Sequence, residues 1–281
     1  MWDKRERVLA VTVFAALYWG VTVGAAKQLD MAPDAVDDLY LRCRDQMLQK
    51  VTSGLLSEEL GYSAELKTAW SANNQCSTLI PGGVAEHTAA LLAYAYGGKE
   101  FRKTFNSEVE TLGGNASVYS NFHFKSLHFL LIDALRLSKK KCQTVYRVSG
   151  KKYTAQNGSE VRFGRFTSVH ADYSELKEDP DLGGGVFFNI TSCSVLNMEE
   201  NTCSQEGDIE LLLSPSEVFT VVEIKEISDD YEYTEIVLKS AKQSTTDRCY
   251  LFPRSPTDSS TQWLGSIVSV LMALSLFLFT C

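Results

Sequence analysis

The sequence predicts a single domain of the α+β class, in which helices come first and strands come afterwards. Up to about Leu137, apolar residues recur at the three- and four-residue spacing of helices. After Gln143 the pattern changes to short β-rich runs that are separated by Gly, Asp and Pro. No Pro- or Gly-rich linker divides the halves, and this order differs from the alternation that builds a parallel sheet.

Five helices are expected in the first half. Asp34 can cap the first, glycine pairs follow the third and fourth, and lysines follow the fifth, where they suit the negative end of the helix dipole. The expected helices are Asp34 to Val51, Ala64 to Ser71, Val84 to Tyr96, Phe101 to Leu112 and Phe124 to Leu137.

Six β-rich runs are expected in the second half, because they combine β-branched and aromatic residues with flanking turn residues. The expected strands are Gln143 to Val148, Arg162 to His170, Val186 to Thr191, Ile209 to Leu213, Val218 to Ile227 and Tyr233 to Ser240.

The N-terminus has the order of a signal peptide. Basic residues in Met1 to Arg7 precede an apolar run from Val8 to Val23 and then small residues, so we expect cleavage near Ala26. An uncleaved signal anchor is the alternative.

The C-terminus ends in the uncharged run Leu264 to Cys281, preceded by small polar residues that include Ser259 and Ser260. This arrangement is typical of a GPI-attachment signal. The alternative is a retained single-pass helix, since the run is just long enough to span a bilayer. We therefore expect a signal peptide over residues 1–26, a domain over 27–259 and a removed tail over 260–281, which places the domain outside the cytosol.

Composition excludes some classes of protein. A hydrophobic fraction of 44% supports one sizeable core, and a net charge of −8 argues against nucleic-acid binding, which needs a basic surface. Six cysteines remain outside the tail, an even number that predicts disulfides in an exported chain. The histidines and cysteines lack zinc-ligand spacing, so we expect no metal.

Three sequons for N-glycosylation begin at Asn115, Asn157 and Asn189. They mildly support an exported glycoprotein. Asn189 falls in an expected strand and is the least suited of the three to carry a sugar.

Three polar side chains stand out beside the expected strands. Arg147 interrupts an apolar run, Ser168 lies near the end of another, and Glu210 opens the run Leu211 to Leu213, with Asp208 two residues earlier. Taken one at a time, each is better explained as an ordinary exposed strand or loop residue. Their order along the chain is what makes them informative.

Residues from about Asp37 to Leu251 resemble the vertebrate-type, GPI-anchored, arginine-specific ecto-mono-ADP-ribosyltransferases, which are related in fold to bacterial ADP-ribosylating toxins. The family signature is an Arg, a Ser and a Glu-x-Glu on successive core strands, and Arg147, Ser168 and Glu210 fall on it. The resemblance is densest in Phe105-Asn106, Phe122 to Leu131, Val145 to Arg147, Val161 to Ser168 and Glu210 to Phe219.

The resemblance implies two packed, mainly antiparallel sheets around a cleft for NAD, which is consumed as a substrate. It also implies an extracellular enzyme that moves ADP-ribose to arginine side chains of secreted or cell-surface proteins. Arg147 would bind the pyrophosphate in a fork, Glu210 would stabilise the oxocarbenium-like ribose, and Ser168 would hold Glu210 by a hydrogen bond. Tyr94 aligns with a family tyrosine near the nucleotide, although core packing explains it equally well.

The departures from the family bear on the reaction. Asp208 replaces the first Glu of Glu-x-Glu, which engages the acceptor arginine, and it is one methylene shorter. The segment that normally helps to hold nicotinamide is acidic and glycine-rich from Glu178 to Gly185, so its aromatic contact is not assigned. An NAD glycohydrolase on the same fold and a catalytically weak surface receptor are therefore the alternative functions.

The family pattern also implies two disulfides, Cys43 with Cys249 and Cys142 with Cys193. Cys76 and Cys203 are left over. They can pair with each other, or Cys203 can be free.

Overall fold

The computed structural model describes residues 26–71, 76, 78–139, 141–203, 209–228, 232–244 and 246–253. The expected signal peptide up to residue 25 and the expected C-terminal signal lie outside the described residues. None of the helices in the described part of the chain could span a lipid bilayer.

Helices fill the first half, as expected, and a π-helical stretch at Val51–Leu55 joins the first two. The helices expected at 64–71, 84–96, 101–112 and 124–137 are confirmed to within about three residues at either end. The helices are α1 (Arg44–Lys50), α2 (Leu56–Tyr62), α3 (Ala64–Ser71), α4 (Ala85–Tyr96), α5 (Gly98–Thr111), α6 (Ala116–Ser120), α7 (Lys125–Leu137) and, later, α8 (Met198–Asn201).

The prediction that the first helix begins at Asp34 is wrong, because α1 begins only at Arg44. Buried carboxylates hold the preceding segment in an irregular path. Asp37 pairs with Arg162, and Asp38 accepts a hydrogen bond of 2.9 Å from the amide of Tyr40. Tyr40 itself has a φ of 54°, which no helix allows. These contacts of the two aspartates, long-range for Asp37 and local for Asp38, therefore override the helical periodicity here.

The N-terminus of α7 is capped by a residue far away in the chain. The two carboxylate oxygens of Glu59 accept hydrogen bonds of 3.0 Å from the amides of Lys125 and Ser126. These amides have no partner within their own helix, so Glu59 completes the helix end and joins α2 to α7. Burial raises the pKa of Glu59 to about 7, although both amide hydrogen bonds oppose the shift.

The strands form a five-stranded sheet with the order β2-β6-β10-β9-β4, a three-stranded sheet with the order β5-β8-β7, and a small pair, β1-β3. In the two larger sheets every pairing is antiparallel except that of β6 with β10. The strands are β1 (Lys27–Gln28), β2 (Gln143–Ser149), β3 (Tyr153–Thr154), β4 (Glu160–Val161), β5 (Thr167–Val169), β6 (Val186–Ser192), β7 (Val195–Asn197), β8 (Leu211–Leu213), β9 (Glu217–Ser228) and β10 (Glu232–Gln243).

The three-stranded sheet lies between the helices and the five-stranded sheet. On β8, Leu211 and Leu213 belong to the core shared with the larger sheet, whereas Leu212 belongs to the core shared with the helices. This alternation follows from the two-residue period of a strand. The three-stranded sheet therefore packs one face against the helices and the other against the five-stranded sheet.

The long strand predicted from Arg162 to His170 is wrong, since β5 covers only Thr167–Val169. Gly164 has a φ of +66°, which ends an extended conformation. The side chain of Arg162 is directed to the N-terminal segment, where its Nε donates to the carbonyl of Met31 at 2.8 Å.

Three disulfides connect the described elements. Cys43–Cys249 and Cys142–Cys193 are those that the resemblance implies. The third joins Cys76 to Cys203, so Cys203 is not a free thiol.

Candidate active site

Arg147 and Ser168 meet where the two larger sheets approach each other. Arg147 on β2 is paired with Phe188 on β6 and lies on the same face of the five-stranded sheet as buried Val145. Its side chain therefore faces the three-stranded sheet. Its Nη1 donates to the backbone carbonyl of Ser168 at 2.8 Å and to the Ser168 hydroxyl at 3.2 Å. The remaining guanidinium nitrogens donate no hydrogen bond to any described residue.

A backbone bridge sets this approach. The amide of Tyr146 donates to the carbonyl of His170 at 2.8 Å, and the amide of His170 donates to the carbonyl of Tyr146 at 2.9 Å. The bridge lies beside Arg147 on one strand and two residues after Ser168 on the other. It therefore fixes how β2 and β5 lie relative to each other.

Glu210 stands at the end of the smaller sheet, directly before β8. Continuing the β5–β8 register by one residue pair places it opposite His170. Its Oε2 accepts a hydrogen bond of 3.1 Å from the amide of Ala171 and lies 4.0 Å from Nδ1 of His170. The Glu210 side chain is 44% exposed, so its carboxylate is held from one side and open to solvent from the other.

The expected hydrogen bond between Ser168 and Glu210 is not among the contacts of the described residues. Ser168 is paired with Leu212, two residues beyond Glu210 on β8. Ser168 and Glu210 are therefore diagonal neighbours about 7 Å apart, and the carboxylate of Glu210 lies against the amide of Ala171. The hydroxyl of Ser168 lies instead against Arg147.

Tyr94 is buried, with 2% of its surface exposed, and lies behind β5. Its hydroxyl donates to the carbonyl of Phe166 at 3.1 Å, and its ring packs against Phe105 and Phe166. In this position Tyr94 supports the segment that leads to Ser168.

Asn106 has a role that the sequence alone did not assign. Its Oδ1 accepts from the amide of Phe166 at 3.1 Å, and its Nδ2 donates to the carbonyl of the same residue at 3.1 Å. Nδ2 also lies 3.1 Å from the hydroxyl of Tyr94. The one sequence feature that pointed to Asn106 is its place in the Phe105-Asn106 motif of the family resemblance. Asn106 holds the backbone two residues before Ser168.

Arg147 is a partly buried cation with charges of both signs nearby. Burial lowers the pKa of Arg147, and the nearby charge of Arg165 lowers it further. Arg165 is held by Glu110 at 3.3 Å and by the hydroxyl of Tyr153 at 3.1 Å. The charge of Asp179 opposes that of Arg165 at Arg147, so the guanidinium of Arg147 itself is the group suited to a phosphate-bearing ligand.

The acidic segment Glu178 to Gly185 packs against the end of β2. A side chain at Gly185 would come within 2.6 Å of the Ser149 carbonyl, so only glycine allows this approach. Just before this segment lies Tyr173, an aromatic residue with 38% exposure whose ring contacts Tyr146 and Phe187. Tyr173 is thus a partly exposed aromatic beside the site.

Asp208 lies outside the described residues. Within the described part of the chain, one group has ligand atoms close enough to hold a metal ion: Asp38, Asp247 and Cys249. Cys249 is bonded to Cys43 and cannot supply a thiolate ligand.

Comparisons with known proteins show which family this chain resembles. A family model described as NAD:arginine ADP-ribosyltransferase matches residues 29–246. Ecto-ADP-ribosyltransferase 5 of Mus musculus is 31% identical over 220 residues, which are 72% of this chain and 70% of that protein. NAD(P)(+)–arginine ADP-ribosyltransferase 2 of Gallus gallus is 33% identical over 210 residues, which are 69% and 64% of the two chains.

Among solved structures, a mutant of the eukaryotic mono-ADP-ribosyltransferase ART2.2 in complex with NADH is similar to this chain. It has a TM-score of 0.63 and 29% sequence identity, and the match covers 79% of this chain and 97% of that one. Another ART2.2 mutant, in complex with NAD, matches with a TM-score of 0.62. The family model covers most of the chain, and these relatives agree with it. This protein therefore belongs to the NAD:arginine ADP-ribosyltransferase family.

Proposed function

We propose that this protein cleaves NAD and transfers ADP-ribose to arginine side chains of proteins, with release of nicotinamide. In this reaction the bond between the ribose C1′ and nicotinamide breaks, a bond from C1′ to a guanidine nitrogen forms, and that nitrogen loses a proton. The observation that carries the proposal is the contact of Arg147 on β2 with Ser168 on β5, together with Glu210 directly before β8, in a family member.

The side chains divide the chemistry between them. Arg147 binds the pyrophosphate through the nitrogens that Ser168 leaves available, because a planar guanidinium can hold two partners at once. Glu210 lies beside the ribose, where its carboxylate stabilises oxocarbenium character and accepts a hydrogen bond from the 2′-hydroxyl. Its open side supports contact with a substrate. Ser168 keeps Arg147 in place, and Tyr94 and Asn106 support the strand behind it.

Hydrolysis of NAD is the second candidate function, and Asp208 is the observation that favours it. A shorter carboxylate reaches less far toward an acceptor guanidinium, so water competes better for the ribose. The variant Asp208→Glu is expected to raise the ratio of transfer to hydrolysis. An unchanged ratio would refute the role given to Asp208.

We propose that the domain acts outside the cell and is held there by a lipid. The names of the curated relatives support an extracellular site, and the small polar residues followed by an uncharged tail support GPI attachment. Removal of residues 1–26 and 260–281 would leave the domain 27–259 on the membrane. Phosphatidylinositol-specific phospholipase C should release it from intact cells, whereas a retained helix would keep it bound.

One assay tests the reaction. The protein is incubated with NAD labelled in the adenylate half and with agmatine, which carries a guanidinium group. Labelled agmatine supports transfer, and free nicotinamide without labelled agmatine supports hydrolysis. An absence of NAD turnover by the folded protein would contradict both enzymatic functions and leave the surface receptor.

A further inference from the structure

Two of the three sequons lie on the surface beside the N-terminal segment. Asn157 is exposed in the turn between β3 and β4, and its side chain makes no hydrogen bond to a described residue. The backbone of the turn is nevertheless fixed, because the amide of Gly158 donates to the carbonyl of Val221 at 2.8 Å. A group attached to the Asn157 side chain would therefore extend into solvent from an ordered turn and would break no hydrogen bond of a described residue.

Asn115 is also exposed and has a free donor atom. Its Oδ1 caps α6 by accepting hydrogen bonds of 3.0 Å from the amides of Ser117 and Val118. Its Nδ2 makes no hydrogen bond within the described residues. A sugar on Nδ2 would therefore leave the helix cap intact.

Asn189 differs from both. It lies in the middle of β6, between Tyr146 on β2 and Val237 on β10. Its side chain is half-buried, and its Nδ2 lies 3.4 Å from Oε1 of Glu235. A sugar there would have to enter the space between neighbouring side chains of the central sheet.

The surface beside Asn157 has room for a sugar. A groove of about 510 Å³ runs along the N-terminal segment and is lined by Gln156, which precedes the sequon, and by Ser159, its third residue. Its other wall includes Leu29 and Pro33, so the groove offers polar and apolar contacts together. Arg147, Ser168 and Glu210 do not line it. A glycan at this place would leave the candidate site open.

We propose that Asn115 and Asn157 carry N-linked glycans and that Asn189 carries none, which rests on the export included in the proposed function. In the attachment step, Nδ2 attacks the anomeric carbon of an oligosaccharide carried on a lipid pyrophosphate. The new N–C bond forms as the C–O bond to the pyrophosphate breaks, and the amide loses one proton. The glycans then shield the face on both sides of the N-terminal segment.

The test uses the full chain expressed in eukaryotic cells and recovered from their surface. Peptide-N-glycosidase F in H₂¹⁸O converts each glycosylated Asn to ¹⁸O-labelled Asp, which mass spectrometry locates in tryptic peptides. We expect the label in peptides 104–125 and 153–162, at Asn115 and Asn157, and none at Asn189. Asn115→Gln and Asn157→Gln should each remove one glycan from the intact mass. Asn189→Gln should remove none, and Ser159→Thr should retain the Asn157 glycan.

Several results would overturn the inference: label at Asn189, no label at Asn115, or no label at Asn157. NAD turnover measured on the same samples separates this inference from the proposed function. An active surface protein without these glycans would contradict the inference alone. A glycosylated protein without NAD turnover would contradict the proposed function alone. A chain retained in the cytosol would contradict the export and the glycans together.

Discussion

Nη1 of Arg147 donates a hydrogen bond of 2.8 Å to the backbone carbonyl of Ser168, and this contact joins the two larger sheets at the candidate site. The same nitrogen also lies 3.2 Å from the Ser168 hydroxyl. One edge of the guanidinium is therefore held by Ser168, and the other edge is available to a ligand. This arrangement explains why an arginine is needed. A lysine has a single nitrogen and cannot hold Ser168 and a pyrophosphate in a fixed fork.

Arg147→Lys should therefore turn over NAD less efficiently while the protein stays folded. One charged hydrogen bond is worth about 1.5–3 kcal/mol, so kcat/KM for NAD should fall roughly 10- to 100-fold. Steady-state kinetics with labelled NAD measure this change. A variant with unaltered kcat/KM would show that the fork is not needed.

Asn106→Ala should weaken both stability and activity, because Phe166 would lose hydrogen bonds at its amide and its carbonyl. The expected loss is about 1–3 kcal/mol in the free energy of unfolding. Thermal unfolding gives the stability, and NAD turnover well below the melting temperature gives the activity. Thr111→Val is a matched control, since it removes a hydroxyl that only bonds within α5, to the carbonyl of Ser107. If both variants behaved alike, Asn106 would have no special role.

His128 predicts a dependence of stability on pH. Burial lowers its pKa from 6.5 to about 4, because the imidazole is enclosed between Tyr40 and the carbonyl of Val36. Between these values the unfolded chain binds a proton and the folded chain does not. The contribution of His128 is therefore complete above pH 6.5 and is lost as the pH falls toward 4, by roughly 3 kcal/mol.

Buried carboxylates act in the opposite direction, so the His128 effect needs a difference measurement. Burial raises the pKa of Glu59 to about 7 and that of Asp38 to about 6, so both favour the folded state as the pH falls. Comparing the wild type with His128→Gln at each pH cancels their contributions. The advantage of the wild type should shrink between pH 7 and pH 4, and a constant advantage would rule out a buried neutral histidine.

The Cys76–Cys203 disulfide should contribute to stability, since it joins residues separated by 127 positions. Replacing both cysteines with serine should cost about 2–4 kcal/mol, and a lower melting temperature would report it. Thr78→Val is the control, because it removes a hydroxyl 3.2 Å from the Cys203 sulfur and leaves the bridge intact. Equal melting temperatures for the double variant and the wild type would show that the bridge has no stabilising effect.

The sequence predicts the helices correctly where the local hydrophobic pattern agrees with the packing of the fold. α3, α4 and α7 have uninterrupted helical periodicity, and the packing in the structure follows it. The first helix was misplaced because Asp37 and Asp38 bind partners more than 100 residues away, which periodicity does not register. Long-range contacts of buried polar groups decide such segments.

The candidate site shows the same limit. The order of Arg147, Ser168 and Glu210 can be predicted from the motifs, but the partner of Ser168 depends on how the two sheets lie relative to each other. The hydroxyl of Ser168 lies against Arg147 of the other sheet, and no local pattern encodes that contact. The hydrogen bonds between Asn106 and the backbone of Phe166 are not predicted by the sequence for the same reason.

The most direct test of the account is transfer of ADP-ribose from labelled NAD to agmatine by the wild type and by Glu210→Gln. Glutamine keeps the size of the side chain and can still accept from the Ala171 amide, so the fold and its melting temperature should not change. Without the negative charge, labelling of agmatine should fall on the order of 100- to 1000-fold. A folded Glu210→Gln variant that labels agmatine at the wild-type rate would contradict the assignment of this site.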